Sequence, residues 1–157
     1  MDLDEQIQAL IDNAPQDGST PALVEAIAPV LKLLASRLRH PQYYVAQTLN
    51  QEWAVTTLEN RTQPEQQKTV IYAYATLKDV STGPYPMQDP QMIALPVPVT
   101  HILFQMLAMD GVDSTIFFEV PEDSSIGTEI QRQDLNDLIQ VHLQSQFTEP
   151  SLPPDIA

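Results

Sequence analysis

The chain has no cysteine, which excludes disulfides, thiolate nucleophiles, cysteine-ligated zinc and cysteine-held iron–sulfur clusters together. Glycine is almost as scarce: Gly18, Gly83, Gly111 and Gly127 are the full complement among 157 residues, and no two lie close together. A glycine-rich phosphate cradle of the GxGxxG or Walker kind cannot be built from them, so nucleotide cofactors held in that way are not expected. Basic side chains are few as well, 7 against 21 acids, for a formal net charge of −14. After Lys78 the one basic residue is Arg132, while twelve of the acids lie from Asp79 onward. A surface of this sign repels phosphate backbones and anionic lipid, so nucleic acid is not expected as a partner.

Long apolar runs are also missing. The most apolar stretch, Val97 to Met109, has 13 residues and is interrupted by His101 and Gln105. That is short of the roughly 20 residues a bilayer-spanning helix requires, so no membrane span is expected. The opening MDLDEQIQ is acidic and amphipathic where a signal peptide carries basic and then apolar residues, and a cytoplasmic location follows as the expectation. The hydrolase elbow GxSxG, the zinc motif HExxH and the calcium ladder of an EF-hand are absent, and His40, His101 and His142 stand far apart. No cofactor and no metal are expected.

What is present has the makings of one α+β domain over residues 1–147, followed by a Pro-rich tail, 148–157, expected to be disordered. Leu3, Ile7, Leu10 and Ile11 describe a short amphipathic helix behind Asp2. Thr20 as N-cap with Pro21 behind it opens a second helix, to about Arg39, in which Pro29 predicts a kink. The vocabulary then turns to β-branched and aromatic residues in YYVAQTLN, EWAVTTLEN and KTVIYAYATL, read as three antiparallel strands in a meander. The segment DVSTGPYPMQDPQ is a loop, MIALPVP an edge strand on account of its prolines, and VTHILFQMLAM an inserted buried helix. STIFFEV alternates as a strand, and Thr128 to Gln131 matches a capping box opening a C-terminal helix through Leu135 and Leu143. The fold class is therefore α+β: an antiparallel sheet of about four to five strands, two N-terminal helices, one inserted helix and a C-terminal helix.

Half of the ten aromatic residues, namely Tyr43, Tyr44, Trp53, Tyr72 and Tyr74, fall in the first three strands. Adjacent residues of a strand face opposite sides of a sheet, so Tyr43 and Tyr44 cannot both enter one core; presenting one ring to a partner is one reading, and cross-strand packing with the hydroxyl reaching water is the plainer one. The Pro-rich loop from Gly83 to Pro90 and the tail from Pro150 to Pro154 are alternative contact segments. His101 opens the apolar helix, and with Asp110 and Asp113 it supplies the residues of an alternative pocket; a partly buried, hydrogen-bonded histidine is the plainer account. Asp110, Asp113, Glu119, Glu122 and Asp123 read as a solvated acidic surface.

The runs MIALPVPVTHILFQMLAMDGVDSTIFFEVPED and GTEIQRQDLNDLIQVHLQ, in a chain with 17 glutamines, resemble a small uncharacterised family of cyanobacterial type over residues 90 to 145. That resemblance implies no function. In outline, a small acidic chain with helices flanking an antiparallel sheet is also similar to secretion-chaperone-like proteins, which dimerise and hold partner segments. The expected function is a non-enzymatic interaction or assembly module, chaperone-like, using an aromatic sheet face and acidic surface to hold a basic or partly unfolded protein partner, with a homodimer as one form. The alternative is a small enzyme or ligand-binding domain with its pocket near His101 and Asp110/Asp113.

Overall fold

The computed structural model describes residues 2–15, 17–50, 52–59, 67–82, 92–121 and 123–148. Helix α1, Leu3–Asn13, starts from a reciprocal capping box in which Asp2 accepts the Glu5 amide (2.8 Å) and Glu5 accepts the Asp2 amide (3.0 Å). Helix α2, Thr20–Ser36, contains Pro29 within its span. Its N-cap is Ser19, not Thr20, and the capping is done from farther back. The Asp17 carboxylate accepts the Thr20 amide (2.8 Å), the Ser19 amide (2.9 Å) and the Thr20 hydroxyl (2.8 Å), and these bonds hold its pKa far below the usual carboxylate range. The helix stops short of Arg39 because Leu38 turns into the core and the Arg39 amide is taken by Glu119.

Strand β1, Gln42–Thr48, is followed by β2, Thr56–Glu59, and β3, Gln67–Ala73. A short helix α3, Leu77–Thr82, then precedes β4, Met92–Pro98, and α4, Val99–Ala108. The chain closes with β5, Ser114–Val120, β6, Asp123–Gln131, and α5, Arg132–Thr148. The expected meander is corrected: β1 pairs antiparallel with β4 in a two-stranded sheet, and the other strands form a four-stranded sheet in the order β2-β3-β5-β6. Within it β3 and β5 run parallel, so the sheet is mixed and not antiparallel throughout. A parallel pair needs a long crossover, and the segment from α3 to α4 supplies it. Helix α3 and strand β6 were both unexpected; Thr128 to Gln131, read as a helix start, is the end of β6. The Pro-rich loop from Gly83 to Pro90, most of the polar loop before β3, and the tail from residue 149 lie outside the described residues.

The two sheets touch at Tyr44 and Tyr74, which exchange both backbone hydrogen bonds (2.7 and 2.9 Å). That contact fixes how β4 presents its edge. Since Tyr44, Ala46 and Thr48 turn their backbone bonds away from β4, the alternate residues of β1 bond to β4, and their register partners are Ile93, Leu95 and Val97. Pro96 and Pro98 therefore face the other edge, where a proline has no N–H to offer. The edge that the sequence marks by its prolines is closed to strand addition at those positions.

The pleat sorts the core into two layers. Tyr43, Val45, Ile71, Ala73 and Phe117 face the larger helices and meet Leu31, Leu103, Met106 and Leu135. On the opposite face Val70, Tyr72, Tyr74 and Phe118 form a smaller cluster with Val80 of α3, against which Tyr44 packs. Gly127 of β6 lies where a Cβ would come within 3.2 Å of the Phe117 carbonyl oxygen, so a side chain there would press on the backbone of β5.

Candidate functional site

The aromatic set is divided between the two layers. Tyr43 is fully buried among the helices, with its ring edge-on to Phe117 at 4.9 Å. Tyr72 and Tyr74 are buried in the second layer, where Tyr72 stacks on Phe118 at 5.6 Å. Trp53 is half-buried against the main core. Tyr44, half-buried, lies on the side of β1 opposite Tyr43, as adjacent positions on a strand require.

The Tyr43 hydroxyl is held in a buried network that sequence reading did not anticipate. It donates to Glu119 Oε1, while Glu119 Oε2 accepts the Arg39 amide (3.2 Å) and the Thr128 hydroxyl (3.4 Å). His40 Nε2 lies 2.6 Å from the Glu119 backbone carbonyl, so this nitrogen carries the proton. Burial and the neighbouring Glu119 carboxylate push the Tyr43 hydroxyl well above a tyrosine's ordinary value. Glu119, expected on a solvated acidic surface, is 5% exposed and ties the α2–β1 corner to the sheet.

Beside this corner is an open groove of about 720 Å³. Its floor is Tyr44 with Pro96 and Pro98, which follow from the register, because Tyr44 pairs with Pro96 and Gln42 with Pro98. His40, Gln42, Thr76 and Leu77 complete the walls, and Leu77 is 55% exposed. Among the described residues no lysine or arginine lines the groove. Two smaller depressions lie elsewhere: one of about 620 Å³ with Glu59, Lys68 and Asp113, and one of about 460 Å³ between α2 and α5.

The alternative pocket residues are held in separate places. His101 Nε2 bonds the Gln6 carbonyl (2.9 Å) at the start of α4, facing α1. Asp110 follows the other end of α4, roughly 13 Å along the axis at the usual helical rise, and pairs with Arg132 at 3.0 Å. Asp113 is engaged with the Thr69 amide (2.8 Å) where β3 and β5 begin. Among the described residues no group of three His, Asp or Glu side chains is placed to hold a metal ion.

Gln6 was also missed. Fully buried, it donates to the Pro41 carbonyl (2.8 Å) and accepts from the Thr100 amide (3.0 Å) and hydroxyl (2.8 Å), joining α1, the entry to β1 and α4. The available signal was its place between Leu3 and Leu10, at helical spacing, on the apolar stripe of α1.

Two of these groups set an expected pH response. Burial lowers the pKa of His101 below 6.5, only partly offset by the Gln6 bond. The unfolded chain takes up this proton first, so the contribution is whole above 6.5 and is lost as pH falls below it. For Glu129 the raising effect of burial is outweighed by hydrogen bonds from Lys68 and Ser114 and by the Lys68 charge, so its pKa lies below 4.5. Its stabilisation is present above that value and is lost on further acidification. Thermal midpoints measured against pH are expected to fall first below 6.5, a step removed by His101→Gln, and again below 4.5, a step shared with the hydrogen-bonded Asp17 and reduced by Glu129→Gln. An unchanged first step in the histidine variant would contradict this assignment.

Comparison with protein-family models finds no match, and comparison with curated proteins finds none either. The groove geometry has to speak for itself. Among the described residues no helix is long and apolar enough to cross a membrane.

Proposed function

We propose that this protein is a non-enzymatic interaction module that holds an extended, basic or partly unfolded segment of a partner protein in the groove beside Tyr44. The observation that carries this reading is the set of Tyr44, Pro96 and Pro98 in an open groove lined, among the described residues, by no lysine or arginine, in a chain of net charge −14. Tyrosine and proline rings on the paired strands β1 and β4 offer apolar area that loses little conformational freedom when covered. Gln42 and Thr76 supply hydrogen-bonding groups that suit the backbone of an extended chain. The excess of acid raises the encounter rate with a basic segment and lowers it with an acidic one.

The test is a fluorescence-anisotropy titration with labelled peptides of matched length, one set rich in lysine and arginine, one rich in glutamate. Binding of the basic set, weakened about tenfold or more by Leu77→Ser and by Tyr44→Ala, is the expected result. Leu77 is exposed, so its variant separates loss of binding from loss of folding. Equal binding of both sets, or affinity indifferent to both substitutions, would sink the proposal.

A further inference from the structure

Three of the seven lysines and arginines of this chain are in ion pairs with acids among the described residues. Lys32 pairs with Asp4, Lys68 with Glu129 and Arg132 with Asp110. Arg37 and Arg39, by contrast, are exposed at the end of α2, and neither side chain has an ion pair among the described residues. In a molecule of net charge −14 these two arginines give a negatively charged group a local attraction.

The same two helices that border this corner carry apolar side chains turned to solvent. Leu33 of α2 is 47% exposed, and Val141 of α5 is 65% exposed. Leu138 on α5, which borders the depression between the two helices, is 36% exposed. The helices are neighbours, and between them lies the depression of about 460 Å³ bordered by Arg37, Leu138, Asp134 and Asp137.

The spacing on the two helices matches. On α2 the apolar Leu33 is followed one turn later by the cation Arg37. On α5 the anion Asp137 is followed one turn later by the apolar Val141. Both are i, i+4 pairs, so each lies on one face of its helix. Laid antiparallel, Leu33 meets Val141 and Arg37 meets Asp137 together.

We propose that a second copy of this chain covers the α2–α5 face, with α2 of each protomer against α5 of its partner. The arrangement is isologous: each Leu33–Val141 and Arg37–Asp137 contact occurs twice about a two-fold axis. Burial of the apolar pair supplies the attraction. The arginine–aspartate pairs set the register and offset the repulsion between two acidic molecules. The interface is distinct from the Tyr44 groove and does not depend on its occupant.

Sedimentation equilibrium of the full chain over a range of concentrations reads the result directly. A species of twice the 17.5 kDa chain mass is expected at the higher concentrations. Arg37→Glu alone and Asp137→Arg alone are expected to weaken the dimer about tenfold or more, and the two together to restore much of it. These positions are exposed, and an unchanged circular dichroism melt would confirm that the variants fold. A monomer at every concentration would overturn the proposal, as would a dimer indifferent to the single charge reversals or not recovered in the double variant.

Discussion

Replacing Gln6 with leucine is expected to lower stability by roughly 2–5 kcal/mol, because two buried polar groups of Thr100 lose their acceptor together at about 1–3 kcal/mol each. The Thr100 amide and hydroxyl lose their acceptor, and the Pro41 carbonyl loses one of its two donors, keeping the Val99 amide. The leucine fits the space and is a good helix former, so neither packing nor helix propensity accounts for the loss. Urea denaturation should show a lower midpoint with an unchanged slope, which marks a change in stability without a change in the surface exposed. Thr100→Val, which removes only the hydroxyl contact and keeps the amide, should cost clearly less. A Gln6→Leu protein within about 1 kcal/mol of the parent would show that these groups find other partners.

The second large effect belongs to Glu119. Removing its side chain as Glu119→Ala is expected to cost roughly 3 kcal/mol or more, because the Tyr43 hydroxyl, the Arg39 amide and the Thr128 hydroxyl lose their acceptor together at about 1–3 kcal/mol each. Tyr43→Phe, which takes away only the hydroxyl, should cost about 1.5–3 kcal/mol, as expected for a hydrogen bond to a charged group. The informative measurement is the double variant Tyr43→Phe with Glu119→Leu, set against Tyr43→Phe and Glu119→Leu alone. With both polar groups gone the phenyl ring has no orphaned partner, so the combined loss should fall well below the sum of the separate losses. Simple additivity would mean that the two groups act independently, and the network described here would be wrong. The result bears on the groove, because His40 and Tyr44 flank the same corner that Glu119 anchors.

Local patterns in the chain carried much of the architecture. The apolar periodicities of α1, α2, α4 and α5, the alternation in β5, and the prolines that mark β4 as an edge strand were all readable, since each depends on neighbours within a few residues. The failures have physical causes too. Strand β6 was hidden because Asp123 and Gly127 are poor strand formers, and pairing with β5 overrides that preference. Helix α3 was hidden because the residues before it continued a strand-like run, KTVIYAYATL, which the structure divides between β3 and the first residue of α3.

The candidate site was legible only in part. Opposite orientation of Tyr43 and Tyr44 follows from the pleat of any strand, and the structure shows which of them enters the helix-covered core. Nothing in the sequence places Glu119 against Tyr43, or Gln6 against Thr100, because those partners are separated by 76 and 94 positions. The sequence by itself determined the charge, the missing cofactor motifs, the helix stripes and the proline-marked edge, all properties of composition or of short-range spacing. Tertiary structure alone decided the parallel pairing of β3 with β5, the division of the aromatics into two layers and the groove beside Tyr44. Each of those depends on which distant segments meet, and that is settled by burying many side chains at once in a single packing arrangement.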